Sequence, residues 1–169
     1  EGQIAVRFAL PVAGAAYHFG EKFGATPALA TDLLARVAEA GRKPALTFHV
    51  GTQCSIADAW TTYITTAAGI AKAAGVQLAS LNVGGGFAAG RDGTPPDHSS
   101  VFEAIIRACS AFDVPPLLVC EPGRGLVADA FAYAVRVKAR RADAVYLNDG
   151  IYGGLAEFPS IGASASRTI

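Results

Sequence analysis

The stretch LASLNVGGGF at residues 78–87 reads as a short buried strand that stops in three glycines. The apolar run over 78–83 is too short for a helix of ordinary length, and the glycines end it. Such a glycine run suits a tight turn, and equally a loop whose bare N–H groups form a concave nest for an anion. Upstream, Trp60, Ile64, Ala67, Ile70 and Ala74 keep helical spacing, which predicts a helix opened by Ser55 or Asp58 and stopped at Gly75. Downstream, a polar loop over 91–98 leads to a predicted helix over 99–112, with Val101, Ile105, Ile106 and Cys109 inward, and then to a strand over 114–120.

The same alternation continues towards the N-terminus. Residues 44–50 form a short apolar run that reads as a buried strand. Before it, Thr26 and Pro27 are a good N-cap and first helical residue, and Leu29, Leu33, Leu34, Val37 and Ala40 carry the helix to Gly41. A first strand is expected over 4–10. Short strands alternating with helices describe βα units and a parallel sheet. The alternation stops near Glu121; from 126 to 138 the pattern turns β-branched with period two, and 144–147 reads as a further strand. The expected fold class is therefore α/β, a partial (β/α)8 TIM barrel over 1–125 followed by the start of a β domain over 126–169. About four βα units are half of what a closed barrel needs.

Bulk composition narrows the function classes. Lys+Arg and Asp+Glu balance at 14 each, so no charge excess points to nucleic acid or an anionic membrane. Cys54, Cys109 and Cys120 are an odd count without CxxC spacing, so neither a zinc site nor a disulfide framework is expected, and a reducing, cytoplasmic setting is. Apolar stretches break well before membrane-spanning length, and no signal peptide is visible. The sequence contains no methionine, and the expectation is a segment cut at both ends.

In a βα barrel the chemistry sits where strands end. Here those ends are FHVGTQ at 48–53, NVGGGF at 82–87, CEPGR at 120–124, and Arg7 within VRF at 6–8. Each has a bland reading: a structural histidine, a tight turn, a surface pair of Glu121 with Arg124. Together they read as one set. Gly84, Gly85 and Gly86 offer N–H groups to a phosphate, Gly123 and Arg124 add another N–H and a guanidinium, and Thr52 adds a hydroxyl. His49 offers a flat ring to stack on a heterocycle, and Glu121 can hold a proton on a ring nitrogen. A phosphate cup, a stacking ring and a carboxylate facing a pyridine nitrogen are what a pyridoxal phosphate (PLP) electron sink needs.

FHVGTQC, LNVGGGF, EPGR and YLNDGIYGGL, in this order and together with EKFGATP, resemble the fold-type III basic amino acid decarboxylases of the alanine racemase-like barrel. The ornithine, diaminopimelate, lysine and arginine enzymes belong to that family. The resemblance covers nearly the whole chain. It implies PLP as cofactor, His49 and Glu121 as the residues acting on the ring, and a cofactor shell of Arg7, His49, Thr52, Gly84, Gly85, Gly86, Glu121, Gly123 and Arg124. It implies decarboxylation of a small amino acid, expected to carry a second amine, in a homodimer with shared active sites. It also places the imine-forming lysine ahead of Glu1, because none of Lys22, Lys43, Lys72 and Lys138 matches that motif; Lys22 would lie towards the subunit interface.

One departure bears on the substrate. Where ornithine-type enzymes carry Tyr-Asp for the distal amine, the aligned stretch reads Ser160-Ile161, which puts an ornithine preference in doubt. Asp149 of LNDG is expected to fix the β domain, not to touch substrate. A non-catalytic homologue acting as a binding or regulatory protein is the competing reading. A PLP racemase is disfavoured by Glu121, since alanine racemases set an arginine against the ring nitrogen, and a small single-barrel PLP carrier is disfavoured by the motif at 145–154.

Overall fold

A computed structural model describes residues 2–15, 23–90 and 96–156. Lys22, the loop over 91–95 and Ser160-Ile161 lie outside the described residues. Four strands, β1 (Gln3–Arg7), β2 (Lys43–Thr47), β3 (Ser80–Asn82) and β4 (Leu117–Val119), form one sheet in the order β1-β2-β3-β4. All three pairings are parallel. Between them run α1 (Pro27–Glu39), α2 (Ala57–Ala73) and α3 (His98–Ala108). Sequence neighbours are sheet neighbours with a helix between, the repeated βα unit that the alternating pattern predicts.

Helix starts show how local chemistry sets the boundaries. Thr26 accepts a hydrogen bond from the Leu29 N–H at 3.3 Å, ahead of Pro27 in the first turn. Asp97 does the same for Ser100 at 3.1 Å, so α3 opens at His98. For α2 neither Ser55 nor Asp58 is the cap: Ile56 holds that place with no side-chain hydrogen bond. Asp58 lies in the first turn, where a carboxylate complements the exposed N–H groups.

The strands and helices share one apolar core. Val6, Phe8, Leu46, Phe48, Leu81 and Val83 come from the strands and their ends; Leu34, Trp60, Tyr63, Ile64, Val101 and Ile105 come from the helices. Phe48 stacks on Tyr63 with centroids 4.5 Å apart, and Phe8 closes on both rings. Each fully buried side chain of this size contributes about 1.5–3 kcal/mol. Ile106 departs from expectation, since it is 67% exposed on the outer side of α3 while Ile105 is buried.

The period-two reading over 126–138 is corrected. Residues Arg124–Val127 form a short helix, α4, and Ala128–Ala130 a 3₁₀ turn; regular strand begins only at Val137. Short apolar runs do not separate strand from helix by periodicity, and Ala128 and Ala130 favour helical backbone. β5 (Val137–Arg141) and β6 (Ala144–Leu147) then pair antiparallel, joined by a tight turn in which Ala142 has φ 46°. Beyond β6, Asp149 accepts hydrogen bonds from Gly150 N–H (2.7 Å), Gly154 N–H (2.9 Å) and the Tyr133 hydroxyl. These bonds hold the Asp149 carboxyl below its ordinary pKa and the Tyr133 hydroxyl above its own. Among the described residues no helix is long and apolar enough to cross a membrane, and no cluster of ligating side chains suits a metal ion.

Candidate functional site

His49 lies two residues beyond β2, past buried Phe48. The Gly51 N–H donates to His49 Nδ1 at 3.0 Å, which leaves the ring proton on Nε2. Burial chiefly, and then the positive charge of Arg7, push the imidazole below its ordinary pKa; Glu121 opposes this with the reverse sign. The His49 ring thus senses the charges of Arg7 and Glu121, residues from two other strand ends. The ring is held neutral and half-buried, as suits a flat stacking surface.

The glycine loop owes its residue type to crowding. Gly84 has φ 68° and Gly86 φ 93°, both left-handed. A Cβ on Gly84 would overlap the Phe48 carbonyl oxygen, and one on Gly86 the Gly51 carbonyl oxygen. A Cβ on Gly85 would come within 2.6 Å of the Glu121 carbonyl oxygen and 3.2 Å of His49 Nε2. The loop therefore touches the ends of both flanking strands, and brings His49 and Glu121 to one mouth. The Glu121 N–H donates to the Gly84 carbonyl at 2.8 Å, which extends the β3–β4 ladder to the Glu121 backbone. Among the described residues, no hydrogen bond engages the N–H groups of Gly85 or Gly86.

The remaining expected residues lie on segments that adjoin these strand ends in the chain. Thr52 is half-buried on the loop directly after Gly51. Gly123 precedes α4, and the position of a Cβ on Gly125, 3.3 Å from Phe87, shows that the Arg124 segment packs against the far end of the glycine loop. Arg7 ends β1 with its guanidinium 5.6 Å from the Phe23 ring centroid.

Four residues that support the loop were not singled out by sequence reasoning. The Asn82 side-chain oxygen accepts from the Gly84 N–H at 2.8 Å. Gln53 reaches Ala89 with both ends of its amide. His98 Nε2 lies 2.7 Å from the Ala88 carbonyl oxygen. Phe87 is stacked between Trp60 and Phe102, each at 5.1 Å. Only Asn82 and Phe87 carried a local signal, as the residues flanking VGGG; Gln53 and His98 act across loops.

A cleft of about 340 Å³ lies elsewhere, lined by Lys72, Gln77, Phe112 and Asp113 among others, where the chain enters β3 and β4. It contains none of the strand-end set. Two of the described lysines are also away from the mouth: Lys43 opens β2 at its other end, and Lys72 is in the last turn of α2; Lys138 is on β5.

A parallel βα sheet that gathers a glycine loop, a neutral imidazole and a carboxylate at its strand ends defines a barrel-type, cofactor-binding protein. The sequence profile of the pyridoxal-dependent decarboxylases, pyridoxal binding domain, matches residues 1–128, and the chain belongs to that family. It is 27% identical to a probable ornithine decarboxylase of Dictyostelium discoideum over 90% of this chain and 38% of the relative. It is 30% identical to ornithine decarboxylase 2 of Drosophila melanogaster, over 92% of this chain and 43% of the relative. The chain thus spans about two fifths of the length of these relatives. Among solved structures, the lysine/ornithine decarboxylase of Vibrio vulnificus complexed with putrescine superposes with a TM-score of 0.73 at 26% identity, over 92% of this chain and 43% of that one. The Paramecium bursaria Chlorella virus arginine decarboxylase bound to agmatine gives 0.73 at 22% identity, over 93% and 44%, a likeness of fold. The four-stranded sheet is accordingly part of a TIM barrel.

PLP, the family's cofactor, fits this mouth on the structure's own terms. Among the described residues the Gly85 and Gly86 N–H groups make no hydrogen bond, which leaves them for an oxyanion, and the His49 ring and the Glu121 backbone both adjoin Gly85.

Proposed function

We propose that the whole protein decarboxylates a small amino acid, one with a second amine, using PLP held at the strand ends of this chain. The observation that carries the reading is the meeting of Gly85 with both His49 and Glu121. In this reading Gly84, Gly85, Gly86, Gly123, Arg124 and Thr52 hold the phosphate, and Arg7 lies beside the ring. His49, neutral with its proton on Nε2, offers a face for stacking without competing for the ring's charge. Glu121 holds a proton on the pyridine nitrogen. When bound, PLP supplies the electron sink for the pair left by departing CO2; keeping its ring cationic is the task of Glu121. Residues 1–125 are proposed as barrel and 126–169 as the start of a β domain, with homodimerisation completing the site. The imine lysine is proposed to come from outside this chain, since Lys43 and Lys72 stand away from the mouth and none of Lys22, Lys43, Lys72 and Lys138 matches the family's lysine motif. The relatives, decarboxylases of ornithine, lysine or arginine by name, support a diamino substrate; polyamine synthesis in the cytoplasm is the matching setting.

The test is CO2 release by the whole protein, loaded with PLP, from ornithine, lysine, arginine and diaminopimelate. Turnover of at least one is expected, with Glu121→Gln slower by roughly a hundredfold or more. PLP binding without release from any of them would favour the non-catalytic homologue.

A further inference from the structure

Gln53 is one of two non-glycine residues with positive φ among the described residues, at 54°. Left-handed backbone costs a residue of this type on the order of 1 kcal/mol, and it persists only where surrounding contacts hold it. Here those contacts come from the side chain. Gln53 Nε2 donates to the Ala89 carbonyl at 3.1 Å, and its Oε1 accepts from the Ala89 N–H at 2.8 Å. The amide thus pairs with a backbone peptide as a neighbouring strand would. Next to it, the Cys54 N–H donates to the Gly86 carbonyl at 2.8 Å, and Cys54 and Phe87 form a parallel bridge. The glycine loop is therefore fastened beyond its third glycine to the loop that carries Thr52.

We infer that Gln53 is a positioning residue whose amide clamp on Ala89 sets the glycine loop for a phosphate ester. The inference rests on the PLP reading above and deepens it. A glycine run has no side chains of its own to define its shape, so its N–H groups converge on an oxyanion only if both ends are anchored. Asn82 anchors the entry through Gly84 N–H. Gln53 anchors the exit, which makes it the residue through which the phosphate is recognised without touching it.

The test compares binding of pyridoxal 5′-phosphate and of pyridoxal by the whole protein, together with hydrogen exchange at the Ala89 amide. Gln53→Gly removes the clamp yet suits the positive φ. It is expected to lower the preference for pyridoxal 5′-phosphate over pyridoxal by roughly tenfold, the scale of one or two ordinary hydrogen bonds, and to speed exchange at Ala89. Gln53→Glu keeps the acceptor for the Ala89 N–H and should retain that protection. If Gln53→Gly does not fold, Gln53→Asn serves, since asparagine tolerates the left-handed region but is too short to span the gap. A Gln53→Gly or Gln53→Asn protein that keeps the wild-type preference, or leaves Ala89 equally protected, would overturn the clamp alone. A wild-type protein that binds both compounds equally would overturn the phosphate cup, and the clamp's role with it.

Discussion

The loops that follow β2 and β3 are stitched to each other, whereas the chain from β4 to Phe131 presents its apolar side chains outward. In the first region Val50, Cys54, Val83 and Phe87 are all at least 97% covered, and backbone bonds link Cys54 to Gly86 and Gly84 to Glu121. In the second, Leu117 is 70% exposed, Leu126 73% and Phe131 81%. Both regions are apolar in sequence. The difference is that the first packs against α2 and α3, while β4 is the outer strand of the sheet. Hydrophobicity alone thus gives no information on which apolar run is already satisfied; partners do.

The comparison can be broken in graded ways. The largest effect is expected at the stitched loops: Gly86→Ala forces a Cβ onto the Gly51 carbonyl oxygen from left-handed backbone and should cost about 4 kcal/mol in urea unfolding. Gly41→Ala, at φ 68° but with nothing within 4 Å, isolates the backbone term and should cost about 1 kcal/mol. Next, Leu46→Ala in the fully buried core should cost about 3 kcal/mol, against less than about 0.5 kcal/mol for Leu126→Ala at its exposed position. Equal losses at Leu46 and Leu126 would erase the distinction between the regions. A smaller loss, about 1 kcal/mol, is expected for Thr26→Ala, which removes the α1 cap.

A pH dependence sharpens the same contrast. Burial and Arg7 lower the folded-state pKa of His49 from 6.5, so the folded protein favours the neutral ring. Stability from this source is intact above 6.5 and is lost as pH falls from there through the depressed folded value. Unfolding measured across that range should show the slope, and His49→Gln should reduce it.

Much of this was legible in the sequence because it was local. The glycine stop at 84–86, the Thr26 cap and the helical spacing of Trp60, Ile64, Ala67 and Ile70 each depend on neighbours within a few residues. The strand-end position of His49 and Glu121 followed from the βα alternation. What escaped depended on distant partners. Gln53 and Ala89 are 36 positions apart, and no pattern near either announces the pairing. The misread 126–138 segment failed for a related reason: none of its apolar residues is buried and its larger ones, Leu126, Val127, Phe131 and Val137, are exposed, so their spacing reflects no buried face. Ile106 was drawn inward by counting it with Ile105, although a helix turns about 100° between them.

The central claim, that strand ends of this chain form one phosphate-and-ring cup, is tested most directly by a crystal structure of the whole protein with pyridoxal 5′-phosphate. The account predicts the phosphate against the Gly85 and Gly86 N–H groups, the ring against His49, and its nitrogen facing Glu121. A cofactor seated elsewhere, for instance beside Lys72 in the cleft near Phe112, would contradict it.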